Sequence, residues 1–304
     1  RIITPHMFKA ILSIGVLLTS VTTAYSQQNN INASDYFGDL KARHIGPALM
    51  SGRVSDIEGH PSNSEIIYVG AAGGGVWKSQ DAGLTFSPIF ENYCQSIGAI
   101  AIAPSDPDNT VWVGTGEVWT RNSVSIGDGI YQSLDGGRSW KSMGLEKSER
   151  ISSIEIHPKN KDIVYTGVLG GLWSNSSERG VYKTTDGGKT WTNIVDAKKV
   201  NGYALTVLQD PVEPNLIFVG TEQGLWISLD NAATFQQFKN DYPSVSTYDL
   251  AIQERENDLV IATFGRALYV LDDIGGLRKA AANMGKVFSN KVTVFNAPAG
   301  YQAH

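Results

Sequence analysis

The sequence predicts an all-β fold of β-propeller type, with about five recognisable four-stranded blades. Two observations carry this prediction: an eight-residue pattern recurs four times along the chain, and strand-like segments surround each copy. Successive copies lie roughly 50 residues apart, a period typical of propellers and other repeat arrays. The chain has 304 residues, of which 41% are hydrophobic and 18% charged, so it is long enough to bury the core of such a fold.

The repeated pattern reads hydroxyl, any residue, Asp, any residue, Gly or Ala, any residue, hydroxyl, aromatic. Its copies are SQDAGLTF from residue 79, SLDGGRSW from 133, TTDGGKTW from 184 and SLDNAATF from 228. An Asp carboxylate can accept hydrogen bonds from the backbone just ahead of it, and a Gly two positions later can adopt a positive φ. We therefore predict that each copy closes a buried turn between the third and fourth strands of a blade, and that its aromatic residue fills the space between neighbouring sheets. The residues given this structural role are Asp81, Gly83, Phe86, Asp135, Gly137, Trp140, Asp186, Gly188, Trp191, Asp230 and Phe235.

The segments around each copy supply the strands. Stretches such as IEIHPKNKDIVYTG read as an alternating strand, a Pro/Asn turn and a second strand, GVYKT reads as a third strand, and TNIV as a fourth. Four short antiparallel strands per repeat make a propeller blade. The predicted blades lie near residues 53–90, 97–145, 151–196, 203–241 and 247–277 of a propeller that covers residues 41–277.

The fifth unit departs from the pattern. It has three strands, but LDDIGGL replaces the repeated motif and no fourth strand follows at once. Strands from both chain ends normally share one blade when a propeller closes, so the missing strand could come from the segment near Ile45 or from KVTVF at 291–295. Three interpretations remain open: a compact five-bladed ring, a shortened variant, and part of a larger, incomplete propeller. The end at His304 after one strand-like stretch favours the last of these.

The N-terminal region is typical of an exported protein. Lys9 follows Met7, an apolar run extends from Ala10 to Val21, and small residues precede a predicted signal-peptide cleavage after Ser26. The apolar run is shorter than the ~20 residues that span a bilayer, so we expect no stable membrane insertion. We expect residues 1–6 to lie upstream of the signal peptide at 7–26, residues 27–40 to be a flexible segment, and residues 278–304 to be a linker and the start of a truncated strand or domain. The mature protein is expected to be secreted or periplasmic.

Composition excludes several classes of function. The net charge of -5 gives no reason to expect nucleic-acid binding, which would require clustered Lys and Arg. Cys94 is the only cysteine, so no internal disulfide can form. No His, Cys, Asp or Glu spacing indicates a metal site. We expect no cofactor, no metal and a monomeric protein.

The four copies resemble the Asp-box, or BNR, repeat shared by sialidases, xyloglucan-cleaving glycoside hydrolases, photosystem assembly factors and sortilin-type receptors. The flanking sequence is similar more narrowly to exported bacterial sortilin-like repeat proteins, which are often labelled glycosyl-hydrolase-like. The segments with this similarity are RHIGPALMSGRVSDIEGHP, GTGE, GDGIYQSLDGG and ERGVYKTTDGGKTW. The resemblance implies the propeller fold and says much less about activity. The xyloglucanases carry a catalytic Asp just before the Gly-rich turn of their first blade, and this place is Ala72 here. The N-terminal arginine motif of sialidases is not found.

In a propeller the first strands line a central channel, and the loops between second and third strands form a rim on one face. These loops vary in length here and carry charged and aromatic side chains, which are the usual components of a binding site on a rigid scaffold. We expect the charged residues of this rim to converge on one site. Glu178 lies on the same loop as one of them, Arg179. The predicted binding residues are Arg53, Glu117, Arg121, Asp128, Arg179, Glu222 and Arg266.

The sequence therefore predicts an exported binding or interaction module that recognises a carbohydrate or a peptide on its loop-rich face. A glycoside hydrolase is the first alternative, because hydrolysis of a glycosidic bond needs two carboxylates that flank it. Its candidate catalytic residues are Glu117, Asp128 and Glu222, on the loops of blades two and four. A structural domain of a larger multidomain protein is the second alternative.

Overall fold

The computed structural model describes residues 53–121, 124–195 and 198–286. All of these lie in the second of two units into which the chain divides, Met50–His304. The predicted signal peptide, the segment near Ile45 and the KVTVF stretch lie outside the described residues, so the predictions made for them stay predictions.

The described residues form five antiparallel sheets, four with four strands and one with three. Blade one contains β1 (Val54–Gly59), β2 (Ile67–Ala71), β3 (Gly75–Ser79) and β4 (Ser87–Pro88). Blade two contains β5 (Ile97–Ile102), β6 (Val111–Thr115), β7 (Ile130–Ser133) and β8 (Lys141–Ser142). Blade three contains β9 (Ile151–Ile156), β10 (Val164–Val168), β11 (Gly180–Thr184) and β12 (Thr192–Val195). Blade four contains β13 (Ala204–Gln209), β14 (Ile217–Thr221), β15 (Gly224–Ser228) and β16 (Gln236–Phe238). Blade five contains β17 (Thr247–Gln253), β18 (Asp258–Thr263) and β19 (Leu268–Leu271), followed by helix α1 (Gly275–Ala282).

The strand order within each sheet follows the chain, so every blade is a meander of hairpins. This confirms the prediction of an all-β propeller with about five blades. The second strand of blades two, three and four is buried along its whole length, because its two faces pack on two different neighbours. Each of these strands presents one large aromatic residue to the next blade, and Trp112, Tyr165 and Phe218 are all 0% exposed.

A β-bulge interrupts the first strand of every blade at its second residue. The bulged residues are Ser55, Gly98, Ser152, Leu205 and Tyr248. A bulge leaves one residue out of the pairing and re-aims its side chain. All five bulged residues line a single cavity, which lies where the five first strands converge.

The four repeated turns share one hydrogen-bond pattern. In the third copy, the Thr184 hydroxyl oxygen accepts hydrogen bonds from the N–H groups of Gly188, at 2.9 Å, and Asp186, at 3.3 Å. The Asp186 carboxylate accepts the N–H of Thr190 at 3.0 Å and the Thr190 hydroxyl at 2.6 Å. The sequence interpretation assigned the backbone bonds to Asp alone, whereas the leading hydroxyl residue accepts two of them.

The aromatic residues of the second, third and fourth turns pack on the preceding blade. The Trp140 indole N–H donates to the Ile89 carbonyl of blade one at 2.9 Å, and the Trp191 indole N–H donates to the Met143 carbonyl of blade two at 2.7 Å. The prediction of a buried aromatic residue is wrong for Phe86, which is 41% exposed. Phe86 belongs to blade one, and no described residues form a blade that precedes it.

Helix α1 follows blade five where the repeated motif is replaced. Ile274 and Ala281 join the core that contains Phe218 of blade four. Arg278 of α1 donates to the fully buried Asp210 carboxylate at 2.8 Å. Among the described residues, no helix combines the length and the apolar character needed to cross a bilayer.

Candidate functional site

The predicted rim residues do not converge on one point, and the first group of them surrounds Glu117. Its side chain is 1% exposed and pairs with Arg53, which is 41% exposed, and with Arg121, which is 54% exposed. The Arg121 Nε donates to the carboxylate at 2.9 Å, and the Ser125 N–H donates to it at 3.4 Å. A buried carboxylate whose oxygens are engaged by two guanidinium groups is poorly placed to act on a substrate. Glu117 therefore ties the blade-two loop to the residue that precedes β1.

Asp128 holds the end of the same loop. Its carboxylate accepts the Tyr131 hydroxyl at 2.9 Å and the Thr115 hydroxyl at 3.3 Å. The Thr115 oxygen in turn accepts the N–H groups of Asp128 and Gly129. Burial and the neighbouring Asp128 charge raise the pKa of Tyr131. These bonds position the loop backbone.

Two arginines organise the blade-three loop. Arg150 is buried and donates twice to the Gly170 carbonyl, at 2.9 and 2.7 Å. Arg179 donates to the Leu169 carbonyl at 2.7 Å, to the Ser174 carbonyl at 3.0 Å and to the Gly171 carbonyl. The loop backbone is therefore fixed, and the Arg179 guanidinium lies 5.7 Å from the centre of the Tyr203 ring.

Arg179 and Glu222 meet at a cavity of about 480 Å³ between blades three and four, which we call the rim pocket. This volume is within the range of small-molecule sites. Burial, the Glu222 charge and a hydrogen bond to Glu222 raise the pKa of Tyr203. The polar and aromatic residues that line the pocket are Asn175, Ser176, Ser177, Arg179, Asn193, Tyr203 and Glu222.

A second cavity, of about 530 Å³, lies among the five first strands, and we call it the central cavity. Among the described residues that line it there are four carboxylates and no Lys, Arg or His. Asp56 and Glu58 come from β1, Glu155 from β9 and Asp249 from β17. The Asp56 carboxylate also accepts the Ile100 N–H at 2.7 Å, which links blades one and two.

Burial, with repulsion between neighbouring carboxylates, favours the protonated forms of Asp56, Glu58 and Glu155. Burial, with the Asp56 charge, raises the pKa of Glu58 to about 7. Burial, with the charges of Glu58 and Asp249, raises the pKa of Glu155 to about 8. Burial also raises the pKa of Asp56, although two backbone N–H groups act in the opposite direction. Near neutral pH the cavity therefore holds protonated and ionised carboxyl groups together.

Aromatic rings lie beside the central cavity. Trp119 of the blade-two loop stacks on Tyr248, with ring centres 5.1 Å apart and an interplanar angle of 7°. Phe264 lies 5.8 Å from Tyr248 and is 70% exposed. Tyr248 reaches this position from the bulge of β17.

The structure thus forms two groups from the predicted residues. Arg53, Glu117 and Arg121 form one cluster, and Arg179 and Glu222 share the rim pocket. Arg266 lies exposed in the turn before β19, and Glu178 accepts the Ser177 hydroxyl at 3.1 Å. Sequence reasoning missed Tyr203 and the four central carboxylates, although acidic residues in three first strands were a usable signal. Within the described ranges, no three His, Cys, Asp or Glu side chains are placed to hold a metal ion.

Parts of the chain are similar in sequence to known proteins. The family model described as "Sortilin, neurotensin receptor 3" matches residues 74–204. The xyloglucanase of Hypocrea jecorina (strain QM6a) is 26% identical over 152 residues, which are 40% of this chain and 18% of that protein. Xyloglucanase Xgh74A of Acetivibrio thermocellus is 22% identical over 241 residues, covering 70% of this chain and 27% of that protein.

Among solved structures, the GH74 enzyme of Niastella koreensis superposes with a TM-score of 0.57 at 21% identity, over 72% of this chain and 36% of that one. This chain therefore spans only a minor part of the length of each of these relatives. At 21% identity, the structural similarity is evidence for the fold alone. Together with the five blades and their four Asp-box turns, these comparisons support a β-propeller that is similar over part of its length to the sortilin family model and to xyloglucanases.

Proposed function

We propose that the chain is a binding module that recognises a neutral polysaccharide through the rim pocket. The main support for this proposal is the composition of the pocket, whose described lining residues offer hydroxyl and amide groups, one aromatic ring and one carboxylate. Sugar hydroxyls need several hydrogen-bond donors and acceptors, and a sugar ring packs well on an aromatic face. The xyloglucanase relatives support a polysaccharide over a peptide as the ligand.

The same lining argues against hydrolysis at the rim. Glycoside hydrolysis needs a second carboxylate across the bond, and Glu222 is the only carboxylate among the lining residues described for this pocket. The other two candidates serve the loops, because Glu117 is held by two arginines and Asp128 by Tyr131 and Thr115. The place of the catalytic Asp in the xyloglucanases is Ala72, which is 4% exposed.

The central cavity supports a second candidate function, acid–base cleavage of a glycosidic bond. A glycosidase needs one carboxyl group that is protonated at working pH and one that is ionised. The pKa of Glu155, raised to about 8, would keep it protonated at neutral pH, and Asp249 lines the same cavity. This candidate replaces the pairing of loop carboxylates that the sequence suggested.

Calorimetric titration with a xyloglucan oligosaccharide tests the binding proposal. Tyr203→Ala should weaken binding about tenfold or more, because a stacked ring and a hydrogen-bonding hydroxyl are both lost. Phe86→Ala is a matched control, because Phe86 is 41% exposed and Tyr203 is 38% exposed. Equal affinity in the wild type and the Tyr203→Ala variant would overturn the rim pocket as the site.

A reducing-sugar assay on the same polysaccharide separates binding from hydrolysis. If the chain only binds the polysaccharide, the wild type should release no reducing sugar. Turnover that Glu155→Gln abolishes would establish the central cavity as a catalytic site, because removal of a general acid costs about a hundredfold or more in rate. Turnover that Glu222→Gln abolishes would place the reaction at the rim.

A further inference from the structure

Arg150 is a buried cation without an acidic partner among the described residues. It is 5% exposed, and the hydrogen bonds of its guanidinium group go to a single backbone carbonyl, that of Gly170. None of the ion pairs between described residues includes it. Arg278 shows the usual arrangement, because its side chain is 12% exposed and pairs with the buried carboxylate of Asp210. Buried charges in proteins are normally paired, so an anion is expected close to Arg150.

Arg179 brings a second positive charge to the same place. Its hydrogen bonds also go only to backbone carbonyls of the blade-three loop, and no carboxylate of the described residues forms an ion pair with it. Burial and the Arg179 charge lower the pKa of Arg150, because the two guanidinium groups repel each other. The Glu149 charge has a smaller effect in the opposite direction. The described residues therefore compensate the two cations only in part.

Both arginines line a small cavity of about 80 Å³, which we call the arginine pocket. Thr120, Tyr203 and Tyr248 line it as well, and each of these side chains carries a hydroxyl group. The rest of the described lining is aliphatic and contains no Asp or Glu. A water molecule occupies about 30 Å³ in the liquid, so the arginine pocket has room for one compact ion and not for a whole sugar ring.

We propose that the arginine pocket is an anion site that holds one compact oxyanion group, a carboxylate, sulfate or phosphate, beside Arg150 and Arg179. The planar guanidinium fork matches the oxygens of such a group, and charge-assisted hydrogen bonds of this kind are about twice as strong as neutral ones. The hydroxyl groups of the lining can donate further hydrogen bonds. The oxyanion is either a free ion or an acidic group of a larger ligand. This site does not rest on the ligand proposed for the rim pocket, although the two cavities share Arg179 and Tyr203.

Calorimetric titration of the full chain with sulfate, against chloride at constant ionic strength, tests the proposal. The wild type should bind sulfate saturably, and its melting temperature should rise with millimolar sulfate, because a ligand that binds only the folded state stabilises it. Arg150→Met should weaken sulfate binding about tenfold or more, because charge-assisted donors are lost. Arg255→Met is the matched control, because the Arg255 side chain is 81% exposed and lies outside the arginine pocket, and it should bind sulfate as the wild type does.

A second pair of variants leaves the buried arginines unchanged. Thr120 is exposed and lines the arginine pocket, so Thr120→Glu supplies a carboxylate that is attached to the chain. This variant should lose the response to sulfate. In sulfate-free buffer it should melt at a higher temperature than Thr120→Gln, because only the glutamate can pair with the arginines. Thr120→Gln has nearly the same shape without the charge, and it should keep a saturable response to sulfate.

Titrations with phosphate, glucuronate and glucose identify the source of the oxyanion. Glucuronate that binds more tightly than sulfate and phosphate, with no binding of glucose, would support the site and assign it to an acidic sugar. Sulfate or phosphate that binds at least as tightly as glucuronate would support the site as one for a free ion. Three results would overturn the proposal: a wild type that binds none of the three anions, equal sulfate affinity in the wild type and Arg150→Met, or an unchanged sulfate response in Thr120→Glu.

Discussion

The hydroxyl residue that opens each Asp box carries hydrogen bonds that the turn cannot replace. Thr184 is 1% exposed, and its oxygen is the acceptor for the N–H of Gly188, which is itself buried. Ser79, Ser133 and Ser228 accept the corresponding N–H groups in the other three copies. The Asp carboxylates lie nearer the surface and bond to hydroxyl and backbone groups that water could also reach.

Thr184→Val should therefore lower the free energy of unfolding by about 1–3 kcal/mol, because the variant keeps the side-chain shape and leaves a buried N–H without an acceptor. Denaturant unfolding measures this loss. Thr190→Val is the control within the same turn, because the Thr190 hydroxyl is exposed and its removal should cost less. A larger loss for Thr190→Val than for Thr184→Val would show that the Asp side chain holds the turn.

At the scale of single elements, α1 replaces the missing Asp box of blade five. Arg278→Met should lower the free energy of unfolding by about 3–5 kcal/mol, because it leaves the buried Asp210 charge without its guanidinium partner. Asp210 would keep the N–H groups of Val212 and Glu213, at 2.9 and 2.6 Å. Thermal and denaturant unfolding provide the measurement.

The double variant Asp210→Asn with Arg278→Met is the control for this prediction. It removes both charges, so it should recover part of the stability that Arg278→Met loses. Lys279 lies on the same helix and has an exposed side chain, so Lys279→Met should change the free energy of unfolding little. A double variant no more stable than Arg278→Met would show that α1 docks through its apolar residues alone.

The strands were predictable from sequence because their signals are local. β10, for example, follows a Pro/Asn turn and precedes a glycine-containing loop, and its β-branched and aromatic residues suit a buried strand. The bulges at Ser55 and Tyr248 were not predictable, because a bulge depends on the pairing of the neighbouring strand. The ion pair of Arg53 with Glu117 joins two blades, and no local pattern reports such a contact.

At the scale of the whole molecule, the radial arrangement of the blades brings together carboxylates that are distant in sequence. Glu58 and Glu155 belong to blades one and three, and Asp249 belongs to blade five. Each first strand is unremarkable by itself, since an acidic residue on an alternating strand usually faces solvent. Only the convergence of the first strands places these groups in one cavity, where burial and then mutual repulsion make the stability of the fold depend on pH.

The sign of this dependence follows from the raised pKa values. Glu58 and Glu155 have a pKa near 4.5 in the unfolded chain, and of about 7 and about 8 in the folded chain. Between these limits the folded state binds more protons than the unfolded state, so stability falls as pH rises from about 4.5 to about 8. The Asp boxes have the opposite effect on stability at lower pH. Hydrogen bonds to their carboxylates lower the pKa of Asp135 and Asp186 to about 2, so their contribution to stability is lost as pH falls toward this value.

The melting temperature should therefore be higher at about pH 5 than at about pH 8. Glu155→Gln should remove part of this difference, because glutamine is neutral throughout and resembles the protonated acid in shape. We expect the variant to match the wild type at the lower pH and to be more stable at the higher pH. Glu91→Gln, at an exposed position away from the central cavity, should keep the wild-type dependence. A wild-type melting temperature that rises over this interval would contradict the burial and repulsion inferred for the carboxyl groups of the central cavity.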